Sequence, residues 1–173
     1  MTPQKHSYGD YYENYISLVE ENDLCSALDN SVNRSHTFWS VLNEEQGNYR
    51  YAEGKWSIKE LLQHIIDTER IFGYRALSFA RGEQIALPGY DENAYAVHGM
   101  ADSRSIKEMV EELAIVRNST IALFKSFDES VLDNLGNASG SNLSVKAAGF
   151  IIVGHEIHHM NVVKERYVNQ DSW

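Results

Sequence analysis

The chain has one cysteine, Cys25, and only two prolines, Pro3 and Pro88, in 173 residues. A single thiol closes no internal disulfide, which agrees with a reducing cytoplasm. Scarce proline leaves long helices free to run, because a proline inside a helix removes a hydrogen bond and clashes with the preceding turn. Basic residues are few as well: 15 Lys and Arg stand against 25 Asp and Glu, a formal net charge of −10. That balance argues against nucleic acid as the main partner, since binding phosphates needs a basic face. No run approaches the roughly 20 apolar residues of a membrane helix. The opening stretch MTPQKHSYGDYYENY is polar and aromatic and lacks an apolar signal core. The expectation is a cytoplasmic protein with neither membrane nor nucleic acid as partner. No repeat, low-complexity tract or linker divides the sequence, so residues 1–173 read as one domain. That length can bury a core without disulfides or a structural metal.

Four stretches have the apolar spacing of amphipathic helices. The first, 24–43, carries Leu24, Leu28, Val32, Ser35, Trp39 and Leu42 on one stripe, with a short helix over 11–19 before it. In the second, Ser57 and Glu60 form a capping box, and the apolar series Leu61, Leu62, Ile65, Ile66, Phe72 and Ala76 runs to Arg81, with Gly82 as the stop. The third is capped at Asp102 or Ser103 and carries Ile106, Met109, Val110, Leu113, Val116, Ile121 and Phe124. The fourth opens at Ser144 and continues to about Val168. Residues 87–93 bear turn chemistry and form a long connection, read as a crossover between parallel or diagonal helices. Residues 136–142 read as a loop, and no strand is expected. The fold class is all-α, a four-helix bundle with one long crossover connection. Lys55, Lys59, Arg70, Arg75 and Arg81 read as a solvated helix face with surface ion pairs.

The fourth helix holds Gly154-His155-Glu156-Ile157-His158-His159. His155 and His159 are four residues apart, so they stack on one helix face, where two imidazoles can hold one metal ion. His158 falls on the more polar side with Glu165. Read literally, His155-Glu156-x-x-His159 is the zinc-protease pattern with Glu156 as general base. Such proteases take their third ligand downstream, where only Glu165, facing away, and Asp171 remain. The pattern also lacks a strand to hold substrate, and the protease reading is rejected. A di-iron carboxylate site needs a second Glu-x-x-His, which is absent. Upstream, His64 sits at the edge of its own helix stripe. It could supply a third nitrogen and leave positions open for water or substrate, or simply pack in the core. Asp67 and Arg75 share its side of the helix and could orient a ligand or anchor a substrate carboxylate, or form surface ion pairs. Glu69 and Glu156 fall inside apolar arcs. They read as buried partners of Arg70 or Arg166, with Glu156 alternatively placed behind the metal ligands. Cys25 reads as a small core residue.

Four ordered blocks carry a family resemblance: Lys55-Trp56-Ser57-Ile58-Lys59-Glu60-Leu61-Leu62-Gln63-His64, Asp67-Thr68-Glu69-Arg70, Leu87-Pro88-Gly89-Tyr90-Asp91, and Gly154-His155-Glu156-Ile157-His158-His159. Together, across residues 8–167, the chain resembles the DinB-like family of metal-binding four-helix bundles. The resemblance implies a divalent metal, zinc or nickel, on His64, His155 and His159, and a homodimer. Bacillithiol transferases and mycothiol-dependent maleylpyruvate isomerases are similar bundles that use the metal to activate a small thiol. A bound cation lowers a thiol's pKa and holds the thiolate near neutral pH. The function implied is a metal-dependent enzyme that activates a low-molecular-weight thiol or water for transfer or hydrolysis of a small-molecule substrate. The alternative is a metal-dependent binding or stress-response module without turnover. Ligands must be neutral to bind, so metal affinity is expected to fall as pH drops through roughly 6.5.

Overall fold

A computed structural model describes residues 1–167. The expected helix end near Val168 and the weighed ligand Asp171 lie outside the described residues. Along the chain run α1 (Glu13–Ile16), α2 (Leu24–Trp39), α3 (Glu44–Asn48), α4 (Ile58–Ala80), α5 (Glu92–Gly99), α6 (Ile106–Lys125), the strands β1 (Leu135–Ala138) and β2 (Ser141–Ser144), and α7 (Val145–Arg166). The long helices α2, α4, α6 and α7 make the four-helix bundle. In it α4 packs on α6 and α7, α2 packs on the same two, and α2 and α4 lie across the diagonal.

Local chemistry sets the helix ends. Ser57 accepts from the Glu60 backbone N–H while Glu60 accepts from that of Ser57, the reciprocal cap expected for α4. Gly82 follows α4 at φ +84°, a conformation that glycine adopts without steric cost. Ser144 caps α7 as expected. Two expectations shift. The first long helix stops at Trp39, because Asn43 and Gln46 build a separate capping box for α3. The third is capped by Ser105 and Glu108, whereas Asp102 turns away to accept from Ser57 Oγ and Arg50.

The crossover contains α5, capped by Asp91, where only turns were expected. It joins α4 to α6, which are side-by-side neighbours and not diagonal ones. The expected loop over 136–142 is a β-hairpin. Ser139 and Gly140 take φ of 55° and 80°, as a two-residue turn of this kind requires. Its strands escaped notice because they are four residues long and hold no β-branched or aromatic residue. The hairpin gathers distant segments: Tyr8 bridges Leu143 and Leu87 bridges Ala138. In this way the N-terminal segment and the crossover are both tied over the same face of the α4–α7 pair.

The first half of α7 is buried all round. Val145, Ala147, Ala148, Phe150, Ile151, Ile152 and Val153 have almost no exposure, as befits the central helix of a bundle. Gly154 lets α1 come close, since a Cβ there would lie 2.1 Å from the Tyr15 carbonyl oxygen. Cys25, expected in the core, is exposed on α2; Leu24 and Leu28 take the inward positions beside it.

Candidate metal centre

α4 and α7 face one another, and His64 from the first meets His155 and His159 from the second. His155 Nε2 lies 3.0 Å from His64 Nε2 and 3.0 Å from His159 Nε2. The donor atoms of all three lie within 4.8 Å of one another, a set that can hold one metal ion. His64 and His155 are buried and His159 is nearly so. Neighbouring rings fix their planes: Trp56 lies against His64, and the edge of Tyr15 meets His155.

Protons alone satisfy this cluster poorly. A neutral imidazole nitrogen offers one N–H or one lone pair, yet His155 Nε2 faces two other nitrogens. Making the rings cationic costs more still. Burial lowers the His64 pKa to about 4. Burial first, then repulsion from the neighbouring histidines, holds His155 and His159 well below the ordinary imidazole value. Three neutral, converging, buried nitrogens are the donor set that zinc and similar cations take. For Nε2 to serve as ligand, Nδ1 must carry the proton. His159 Nδ1 is buried without a hydrogen-bond partner among the described residues, so no acceptor holds this tautomer from behind.

Two cavities reach the histidines. One, of about 230 Å³, is lined by His64 and His155 together with Tyr15, Thr68, Arg75 and Tyr90. The other, of about 310 Å³, touches His158 and His159 and runs under Trp56 and Arg166. In the first, Tyr90 and Thr68 share a hydrogen bond of 2.6 Å, and the Tyr15 and Tyr11 hydroxyls one of 2.7 Å. Burial raises the pKa of both Tyr15 and Tyr90, so these phenols keep their protons at neutral pH.

His158 stays outside the cluster, half-buried with its ring against Tyr15 and His159, in line with its place on the helix wheel. Glu156, in the protease base position, points away from the histidines. It accepts from Trp39 Nε1 at 2.9 Å and from Arg117 Nη2 at 2.9 Å. Arg117 also binds Glu69 through Nε and Nη2, at 2.9 and 2.8 Å, and donates to Ser31. The expected partners were wrong: Arg70 pairs with Glu112 and Arg166 reaches the Tyr51 hydroxyl. Arg117 was missed because it sits among apolar residues of α6, where one charge reads as an exception to the stripe. Asp67 accepts from Gln63 and lines neither cavity. Of the basic cluster assigned to a solvated face, Lys59 and Arg75 are buried. Lys59 reaches out to Glu44 at 2.8 Å, whereas Arg75 turns into the first cavity. The tyrosines of 11–15 also went unassigned, and their only signal was the density of aromatics there.

The sequence model of the DinB superfamily matches residues 27–163. The chain belongs to that superfamily. Among relatives, a protein of Oceanobacillus iheyensis, named as a candidate metal-dependent hydrolase, is 21% identical over 150 residues, 86% of each chain. Among solved structures, YfiT from Bacillus subtilis matches with a TM-score of 0.73 at 16% identity, covering 95% of this chain and 90% of YfiT. YfiT is described as a candidate metal-dependent hydrolase with an unusual four-helix bundle topology. That likeness supports the DinB-like bundle, and no described helix is long and apolar enough to cross a membrane.

Proposed function

We propose that His64, His155 and His159 together hold one divalent cation, zinc or nickel, and that the chain is a metal-dependent hydrolase of a small molecule. The observation that carries this reading is the convergence of three neutral imidazole nitrogens, with His64 and His155 at the wall of one cavity and His159 at that of the other. The hydrolase names of the Oceanobacillus protein and of YfiT support it. When bound, such a cation supplies Lewis acidity and lowers the pKa of a nucleophile toward neutrality. The chain's own groups do the rest. The phenols of Tyr15 and Tyr90, protonated and facing the cavity, can donate hydrogen bonds to a substrate oxygen. Trp56 and the aromatic edge of Tyr15 keep the imidazoles in place and exclude water from their rings. Glu156 takes no part as a base, because Arg117 and Trp39 hold both its oxygens.

The test is metal content per chain on protein purified without an affinity tag, beside His64→Ala. Near one equivalent in the parent and little in the variant is expected. A parent that takes up neither zinc nor nickel sinks the reading. Loaded protein is then assayed on a panel of small esters and amides with and without an added thiol. Turnover in water alone is the expected result. Turnover only with the thiol moves the assignment to a transferase, and none in either condition leaves a metal-dependent binding module.

A further inference from the structure

Arg75 is the buried charge that the metal reading leaves without a role. Its side chain is 2% exposed, yet it forms no ion pair with any described residue. Nη2 donates to the Pro88 carbonyl at 3.0 Å and to Ser139 Oγ at 2.9 Å, and the guanidinium carbon lies 4.9 Å from the centre of the Phe72 ring. Nε and Nη1 meet no acceptor among the described residues. Buried cations are normally paired, because removing the charge from water is costly. Arg117 in the same protein obeys that rule with two carboxylates. Arg75 does not, and it lines the cavity that ends on His64 and His155.

The placement is built into α4. His64, Thr68, Phe72 and Arg75 follow the helical repeat and line that cavity together. His64 and Arg75 are three turns apart, roughly 16 Å along the axis. Helical side chains lean toward the N-terminus, so the long Arg75 side chain leans back toward the histidines. His64 leans the same way, so it is the shared lining of one cavity of about 230 Å³ that puts both groups within reach of a single small molecule. The two tethers on Nη2 come from the crossover and from the hairpin turn, which fix the guanidinium plane, occupy Nη2, and leave Nε–H and Nη1 as its open donors. One carboxylate, Glu92, also lines the cavity, but it is exposed and does not reach Arg75.

We propose that this cavity takes a small carboxylate-bearing molecule, with its carboxylate on Arg75 and its reacting group at the histidines. The second half of that statement rests on the metal reading, whereas the first does not. Charge favours an anion in either state. Arg75 is charged at every accessible pH. A dication on three neutral imidazoles adds two more positive charges against Glu92 alone. Nε–H and Nη1 remain to donate charge-assisted hydrogen bonds to a carboxylate oxygen, and Tyr90, Thr68 and Ser139 stand along the walls as neutral partners.

The experiment follows the Arg75 1H–15Nε resonance and binding heat as succinate, or uncharged succinamide, is added to the full chain. Both are measured in chelator and after zinc loading, with zinc content determined on the same samples. Succinate is expected to move the Arg75 resonance and bind, and succinamide to do neither. Arg75→Gln should weaken succinate at least tenfold, the scale of a lost charge-assisted hydrogen bond. Arg75→Lys, which keeps the charge and one tether, covers the case in which the glutamine variant does not fold, and should weaken binding less. A resonance that stays still with succinate in both metal states overturns the proposal, as does equal binding of succinate and succinamide. If the chain takes up no zinc and succinate still binds through Arg75, the carboxylate site stands and the metal reading falls. If zinc binds and Arg75→Gln keeps full succinate affinity, the metal reading stands and the carboxylate site falls.

Discussion

His155 and Glu156 are adjacent on α7, and each turns into a buried polar cluster of a different kind. On the Glu156 side, one guanidinium meets two carboxylates, and Trp39 and Ser31 complete the set, so all four carboxylate oxygens have a donor. Burial opposes the charge on Arg117, but Glu69 and Glu156 hold its pKa above the ordinary arginine value. On the His155 side no carboxylate joins the cluster among the described residues. Three neutral rings present converging nitrogens, one of which faces two others. The first cluster is complete within the chain and can serve structure alone. The second leaves converging nitrogens that the chain's own donors and acceptors do not satisfy, which is the demand the proposed cation would meet. Burial of polar groups does not by itself mark a functional site; what marks it is an unfilled requirement after the chain's own donors and acceptors are counted.

The largest effect should come from breaking the complete cluster. Arg117→Ala leaves Glu69 and Glu156 buried without their cation, at a cost of about 3–5 kcal/mol. The urea midpoint of the metal-free chain reads this directly. His64→Ala should cost that fold less and abolish the rise in midpoint on adding zinc, which for a site filled at about 1,000 times Kd approaches 4 kcal/mol. Equal losses from the two variants in chelator would erase the distinction between the clusters.

Acid should act on the histidine side. In the unfolded chain each imidazole takes a proton as pH falls through 6.5, whereas burial keeps folded His64 neutral down to about 4 and holds His155 and His159 well below the ordinary imidazole value. The unfolded state therefore binds more protons below 6.5. The stabilisation is complete above that pH and is lost as pH falls toward 4, by up to about 1.4 kcal/mol per pH unit for each imidazole. The same depression keeps the nitrogens available to metal, so zinc should be retained below the pH of 6.5 expected from free imidazole. Urea midpoints in chelator from pH 7.5 to 5 check the slope, and a flat profile would mean the rings are less buried than described.

A smaller effect tests how the two sides are held apart. Gly154 precedes His155, and a methyl group there meets the Tyr15 carbonyl oxygen at 2.1 Å. Gly154→Ala must push α1 away, at about 1–3 kcal/mol, and it removes the Tyr15 edge from His155 as well. Gly73→Ala in α4 is the control: nothing lies within 4 Å of its added methyl, and helix propensity should stabilise it by about 0.5–1 kcal/mol. Thermal melts of the pair, with zinc titrations, separate close approach from propensity. If Gly154→Ala melts like the parent, α1 is not seated against α7.

The bundle was legible because its determinants are local or periodic. The Ser57–Glu60 cap, the long stripes and Gly82 all act within a few residues. The candidate histidines were legible for the same reason, since His155 and His159 declare a shared face by spacing, while His64 needed the family resemblance to join them. What was hidden depends on contacts between distant segments. Arg117 becomes a partner of Glu156 only when α6 meets α7. Arg75 reads either as a carboxylate anchor or as a surface ion pair, and its burial follows only when the crossover and hairpin close over it. The strands of 135–144 have no residue preference of their own and form because their turn and their neighbours Tyr8 and Leu87 complete them.

The smallest expected effect is at His158, the middle histidine of the α7 run. It sits between the two ligand candidates in sequence but points off their face. Its ring stacks on Tyr15 and His159 edges, and its nitrogens are not among the converging donors. His158→Ala should leave zinc stoichiometry at the parent value, shift affinity by less than about threefold, and cost under about 1 kcal/mol, the scale of an aromatic contact at a half-buried position. Zinc titration beside His155→Ala gives the comparison. Loss of metal in His158→Ala with retention in His155→Ala would turn the helix face by about 60°, the angle between positions three residues apart. It would then be His158, and not His155, that completes the cluster with His64, and the distinction between positions 155 and 156 would have to be redrawn.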